Sequence, residues 1–179
     1  MRRAVFLDRD GVINRAVVRE SKPYPPANLS ELEILPGVLE ALNSLHSNGW
    51  LLIVVTNQPD VARGTTALSD VEAINHHLKQ CLPIYEFRVC YHDNQSGCDC
   101  RKPLPGLLTA AALAHDIDLN KSFMVGDRWR DIEAGNKAGC KTFFIDYGYA
   151  EKQPTSMNFV VSSLLDASEI ILRMSHEKN

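Results

Sequence analysis

Five short apolar runs recur along the chain: Arg3–Asp8, Leu51–Thr56, Phe87–Tyr91, Ser122–Gly126 and Lys141–Asp146. Four of them are continuous rather than alternating. That pattern suits strands buried on both faces of a parallel sheet. Helical spacing fills the gaps. Val38, Leu39, Leu42 and Leu45 follow Pro36-Gly37 and stop near Gly49. Ser69-Asp-Val-Glu72 reads as a capping box ahead of Ile74, Leu78 and Leu82. Leu107 to His115, Asp131 to Ala138 and Ser163 to Met174 complete the helices. Strand and helix in alternation predict an α/β fold, Rossmann-like and three-layered, with a mainly parallel sheet. Two segments, Asn14 to Pro36 and Asp93 to Pro105, read as loops. The first is too short for a large cap domain, and residues 1–179 are expected to form a single domain.

In such folds the site lies beyond the carboxyl ends of the strands. Asp8, Thr56 and Asp127 all fall at predicted strand ends, so the topology would gather them on one edge. Asp8 and Asp10 sit two apart, with Gly11 allowing the chain to leave strand geometry. A solvated strand end or a helix cap is the competing reading for that pair. Gly126-Asp127-Arg128-Trp129-Arg130-Asp131 adds two acids after another strand. Four acids on one edge repel unless a cation lies among them, and oxygen donors suit a hard ion such as Mg²⁺. Asp127 or Asp131 could instead cap the following helix, a reading more natural for Asp131. Thr56-Asn57-Gln58 supplies neutral donors and Arg101-Lys102 supplies positive charge, as phosphoryl transfer requires.

Composition narrows the classes. The chain of 179 residues is 45% hydrophobic and 23% charged, with a formal net charge of −3. That describes a globular protein with a core and argues against broad nucleic-acid binding. No apolar run approaches the length of a membrane span, and the apolar stretch behind Met1-Arg2-Arg3 is too short for a signal core. A cytoplasmic location and no membrane partner are expected. The five cysteines are odd in number, and three of them lie within eleven residues. Cys90, His92, Cys98 and Cys100 form a Cys₃His set in a loop with little apolar residue to bury thiols, which favours a closed structural zinc site over three core cysteines. All four ligand positions would be filled by protein, so zinc would order the loop leading into Arg101 and Lys102. Cys81 and Cys140 read as packing residues.

Taken in order, Asp8-Arg-Asp-Gly-Val, Val55-Thr-Asn-Gln58, Arg101-Lys-Pro and Gly126-Asp-xxx-Asp131 resemble the haloacid-dehalogenase-like (HAD-like) phosphatase superfamily over nearly the whole chain. The resemblance implies Asp8 as nucleophile, Asp10 as acid and base, and Thr56 and Lys102 as phosphoryl-holding groups. It implies Mg²⁺ on Asp8, the Asp10 main-chain carbonyl and Asp127, with Asp131 contributing from behind. The Cys₃His loop and Cys-x-Cys-Arg-Lys-Pro-x-Pro-Gly look like the branch containing D-glycero-D-manno-heptose 1,7-bisphosphate 7-phosphatases and histidinol-phosphatases. Membership there implies that Asn57, Gln58, Arg63, Arg101 and Arg128 contact a small sugar phosphate. The absence of a fused dehydratase domain leans toward the heptose reading, which serves lipopolysaccharide or surface-glycan synthesis. A monomer is expected. Four positions depart from the branch: Pro59 and Asp60 for Ser-Gly, Tyr91 for Pro, and Arg128 for Lys. A zinc-stabilised module with a dead site is the competing class, but it would have lost one of Asp8, Asp10, Thr56, Lys102 or Asp127, and all are present.

Overall fold

The computed structural model describes residues 1–176. Six strands make one parallel sheet: β1 (Ala4–Leu7), β4 (Leu51–Asn57), β5 (Glu86–Cys90), β6 (Phe123–Gly126), β7 (Lys141–Ile145) and β8 (Phe159–Val161). Their order across the sheet is β5-β4-β1-β6-β7-β8. The α-helices among the described residues are α1 (Val38–Ser47), α2 (Leu68–Cys81), α3 (Gly106–His115), α4 (Trp129–Ala138) and α5 (Leu164–His176).

Alternation along β1 builds two cores. Val5 and Leu7 face one side with Leu42 and Leu45 of α1, Ile74 and Leu78 of α2, and Ala167 and Ile171 of α5. Ala4 and Phe6 face the other with Leu108 and Ala111 of α3 and Ala134 of α4. Both faces of the central strands are therefore dry, which is why their sequences read as continuous apolar runs. The expected three-layer α/β architecture is present.

The structure differs from the sequence reading at four places. The stretch Asn14 to Pro36 is not all loop: β2 (Val17–Arg19) and β3 (Lys22–Tyr24) form an antiparallel hairpin. None of their six side chains is buried, so no alternation of buried and exposed positions marks them. β8 is a sixth strand of three residues, too short for a periodicity. The capping box at Ser69–Glu72 does not form, because α2 begins at Leu68 with Ala67 at its cap and no side-chain cap. Helix α4 begins two residues early, at Trp129, placing Asp131 inside its first turn.

Candidate active site

The acids gather at the carboxyl ends of β1 and β6. The Asp8 N–H donates to the Val125 carbonyl at 3.0 Å, extending the β1–β6 pairing by one residue and setting Asp8 beside the start of the β6 loop. The chain then turns. The Arg9 carbonyl accepts from the N–H of Ile13 at 2.8 Å, and Gly11 sits at φ +90°. A Cβ on Gly11 would lie 1.9 Å from Asp127 Oδ2, so glycine is needed both for the turn and for the approach of the second acid.

Asp8, Asp127 and Asp131 bring carboxylate oxygens within 4.8 Å of one another, all three residues being buried. One lysine stands among them. Lys102 Nζ donates to Asp8 Oδ1 at 2.7 Å, to the Val55 carbonyl at 2.8 Å and to Asp131 Oδ1 at 2.6 Å. An ammonium has three donors, so Lys102 is fully used. Burial pulls its pKa down, but the charges of Asp131 and Asp8 outweigh that and raise it. Burial pushes Asp8 up to about 6, with Asp131 repulsion adding and Lys102 opposing. Burial and then the charges of Asp8 and Asp131 hold Asp127 well above the usual carboxylate range. The cluster lacks positive charge.

Asp127 marks where that charge belongs. Its Oδ2 accepts the Tyr149 hydroxyl at 2.9 Å, whereas its Oδ1 is buried without a partner. A buried orphan oxygen on a carboxylate clustered with two others fits a hard divalent cation. Asp131 is occupied otherwise: Oδ1 holds Lys102, and Oδ2 accepts the Arg128 N–H at 3.0 Å at the start of α4. Asp131 thus caps the start of α4 and pairs with Lys102 at once.

Asp10 is held by three donors. Asn14 Nδ2 reaches Oδ1 at 2.9 Å, Gln58 Nε2 reaches Oδ2 at 2.8 Å, and Arg9 Nη2 reaches Oδ1 at 3.1 Å. Arg9, which the sequence reading left out, is entirely buried and bonds Asn75 of α2 at 2.9 Å. Only its place between two aspartates hinted at such a role. Gln58 is buried and also donates to Thr56 Oγ1 at 3.0 Å. It therefore bridges Asp10 and Thr56, leaving the Thr56 hydroxyl proton free to donate. Asn57 lines the cleft, and its amide makes a reciprocal pair with the Lys102 backbone, accepting from the N–H at 3.1 Å and donating to the carbonyl at 3.0 Å.

Above this floor lies a cleft of ≈ 470 Å³ that also reaches Lys22 and Tyr24 on the hairpin. Its mouth carries Arg63, Arg101 and Arg130. Arg101 is held by the zinc-type loop, donating to the His92 carbonyl at 3.2 Å and to Asn94 Oδ1 at 3.0 Å. Burial and the neighbouring charges of Arg130 and Arg63 lower the Arg101 pKa. Burial, Arg128 and Arg63 lower that of Arg130, whose Nε is buried without a partner. Arg63 pairs with Asp60 at 3.1 Å. Arg128 is committed to Glu151, Nε to Oε1 at 3.0 Å. Arg130 carried no motif signal and looked like any polar residue of a helix start.

Cys90, at the end of β5, meets His92, Cys98 and Cys100. The Sγ atoms of Cys98 and Cys100 lie 3.8 and 3.2 Å from that of Cys90, and His92 Nδ1 lies 3.6 and 3.3 Å from the Sγ of Cys90 and Cys100. Zn–S bonds of about 2.3 Å in a tetrahedron put sulfurs roughly 3.8 Å apart, so the four atoms are close to a zinc cage. Cys81 is exposed and Cys140 is buried.

The model of the HAD-hydrolase-like family matches residues 99–167. A D-glycero-D-manno-heptose-1,7-bisphosphate 7-phosphatase of Thermosynechococcus vestitus is 33% identical over 84% of this chain and 82% of its own. The chain belongs to the HAD-like phosphatases. A second HAD-like relative, the D-glycero-alpha-D-manno-heptose-1,7-bisphosphate 7-phosphatase of Mycobacterium bovis, is 40% identical over 72% of this chain and 69% of its own. The crystal structure of D,D-heptose 1,7-bisphosphate phosphatase from B. bronchiseptica, complexed with magnesium and phosphate, superposes with a TM-score of 0.82 at 30% identity. It covers 96% of this chain and 99% of that one. Among the described residues of this HAD-like enzyme no helix is long and apolar enough to cross a membrane.

Proposed function

We propose that the enzyme removes the 7-phosphate from D-glycero-D-manno-heptose 1,7-bisphosphate through a phospho-aspartate on Asp8, with residues 1–179 acting as one domain. The observation that carries this reading is that one cleft holds two cationic positions, Lys102 at the floor beside Asp8 and the Arg63–Arg101–Arg130 group at the mouth. A small sugar carrying two phosphates offers an anion to each position. The names of the relatives support the sugar.

Asp8 forms the bond to phosphorus as the ester oxygen leaves. Asp10, protonated for that step, gives its proton to the leaving oxygen. That donation leaves Asp10 as the carboxylate that accepts from Arg9, Asn14 and Gln58. Water then attacks phosphorus, the bond from Asp8 to phosphorus breaks, and Asp10 takes the water's proton, which returns it to the acid. Thr56 donates to a phosphoryl oxygen. Lys102 does so by exchanging one of its three internal acceptors for it. Asp8, the Asp10 carbonyl and Asp127 would hold Mg²⁺, which would supply charge neutralisation for the phosphoryl group. Cys90, His92, Cys98 and Cys100 would hold Zn²⁺, which would order the loop that holds Arg101.

The test is phosphate release with Mg²⁺ from both anomers of heptose 1,7-bisphosphate, from a heptose 7-phosphate lacking the anomeric phosphate, and from histidinol phosphate. One bisphosphate anomer should give the highest kcat/KM. Arg101→Ala and Arg130→Gln should raise KM for it and leave the monophosphate unaffected. A higher kcat/KM for histidinol phosphate would overturn the assignment.

A further inference from the structure

The loop after β7 belongs to none of the four motifs, yet three alternate residues of it reach the acid cluster. The Tyr147 hydroxyl donates to the Gly11 carbonyl at 3.0 Å. The Tyr149 hydroxyl donates to Asp127 Oδ2 at 2.9 Å. The Glu151 carboxylate pairs with Arg128, the residue after Asp127. The two tyrosine rings lie 5.5 Å apart at 30°, so the pair stands as a unit. Of these three contacts only that of Tyr149 touches a carboxylate expected to hold metal.

A carboxylate that is free to rotate presents either oxygen to a cation. Asp127 is not free. Its Oδ2 is tied to Tyr149 and its Oδ1 is buried and bare, and the carboxylate brings an oxygen within 4.8 Å of oxygens of Asp8 and Asp131. We propose that Tyr149 is the positioning residue of the cation site, its hydroxyl fixing Asp127 Oδ2 so that Oδ1 is presented to Mg²⁺. The inference rests on the reading that Mg²⁺ binds between Asp8 and Asp127. Partners of this kind, behind a metal ligand, are worth about 10–100-fold in metal affinity when removed. Tyr147 supplies an internal control, because its hydroxyl makes an equally short bond on the same loop but to a backbone carbonyl.

The experiment is calorimetric titration of Mg²⁺ alone into wild type, Tyr149→Phe and Tyr147→Phe, with phosphate release followed as a function of Mg²⁺. Tyr149→Phe should bind Mg²⁺ about 10–100-fold more weakly and recover kcat to within about threefold at saturating Mg²⁺, while Tyr147→Phe keeps wild-type affinity within about threefold. Unchanged Mg²⁺ affinity in Tyr149→Phe would overturn the proposal. So would an equal loss in both variants, which would point to loop packing, and so would loss of a cooperative melt in Tyr149→Phe. A wild-type enzyme that binds no Mg²⁺ would sink the metal reading itself, an outcome distinct from wild-type binding with Tyr149→Phe unaffected.

Discussion

Gly11→Ala tests the geometry of the acid cluster with one methyl group. The added Cβ would stand 1.9 Å from Asp127 Oδ2, where a carbon and an oxygen rest about 3.3 Å apart at closest, so one of them must move by about 1.4 Å. Asp127 is buried and backed by Tyr149, and Gly11 is tied through its N–H to the Asn14 carbonyl at 2.7 Å. The shift therefore disturbs either the carboxylate or the turn that carries Asp10. A misplacement of 1 Å is worth roughly 10²-fold in rate. Left-handed backbone adds a strain of about 1–2 kcal/mol. Gly49 isolates that second effect, since it sits at φ +80° with nothing within 4 Å of its Cβ position. Gly49→Ala should lower stability by about 1–2 kcal/mol, roughly 2–4 °C in Tm per kcal/mol, with full activity. Gly11→Ala should show at least that loss together with a fall in kcat of about 10²-fold or more and weaker Mg²⁺ binding. Phosphate release and thermal melts on the two variants side by side make the comparison. A Gly11→Ala enzyme turning over within threefold of Gly49→Ala would refute the argument.

Asp10→Asn should slow turnover by about 10²–10⁴-fold with an unchanged far-UV spectrum, because it removes the proton donor and keeps the shape. Lys102→Met leaves Asp8 and Asp131 buried without their shared cation and should cost about 3–5 kcal/mol without Mg²⁺, read by urea unfolding. Acidity supplies a signed test. Asp8 is raised to about 6 and Asp127 is raised as well, so the stability they contribute is present below about 3.8 and is lost as pH rises through about 6. The Mg²⁺-induced gain in Tm should thus be larger at pH 7.5 than at pH 5, and a gain independent of pH would count against the cluster. Cys98→Ser should lower bound zinc below one equivalent and raise KM through Arg101, as elemental analysis and kinetics would report.

The sequence was most legible where burial dictates composition. β1, β4 and β6 are dry on both faces, so their apolar runs could be read directly, and the acids at their ends followed from the topology. Legibility failed where the surroundings come from far along the chain. Nothing near Arg9 tells that Asn75, 66 residues away, receives its guanidinium. Asn57 and Gln58 are amides at a strand end, and amides there can serve substrate or scaffold. Only the fold shows that Asn57 grips the Lys102 backbone and that Gln58 joins Thr56 to Asp10. Tyr149 and Arg130 are single residues without a spacing pattern, and the hairpin Val17–Tyr24 has no buried face to announce it.

The order β5-β4-β1-β6-β7-β8 has a further consequence. From β1 the chain lays its next parallel strands to one side, then returns and lays the remainder to the other. The connections leaving β1 and β6 diverge there, and the gap between them is the cleft. The reaction centre is thus a seam in the weave rather than a hollow carved by particular side chains. Loops could be exchanged around it to suit other phosphate esters, and the seam would stay where the winding reverses.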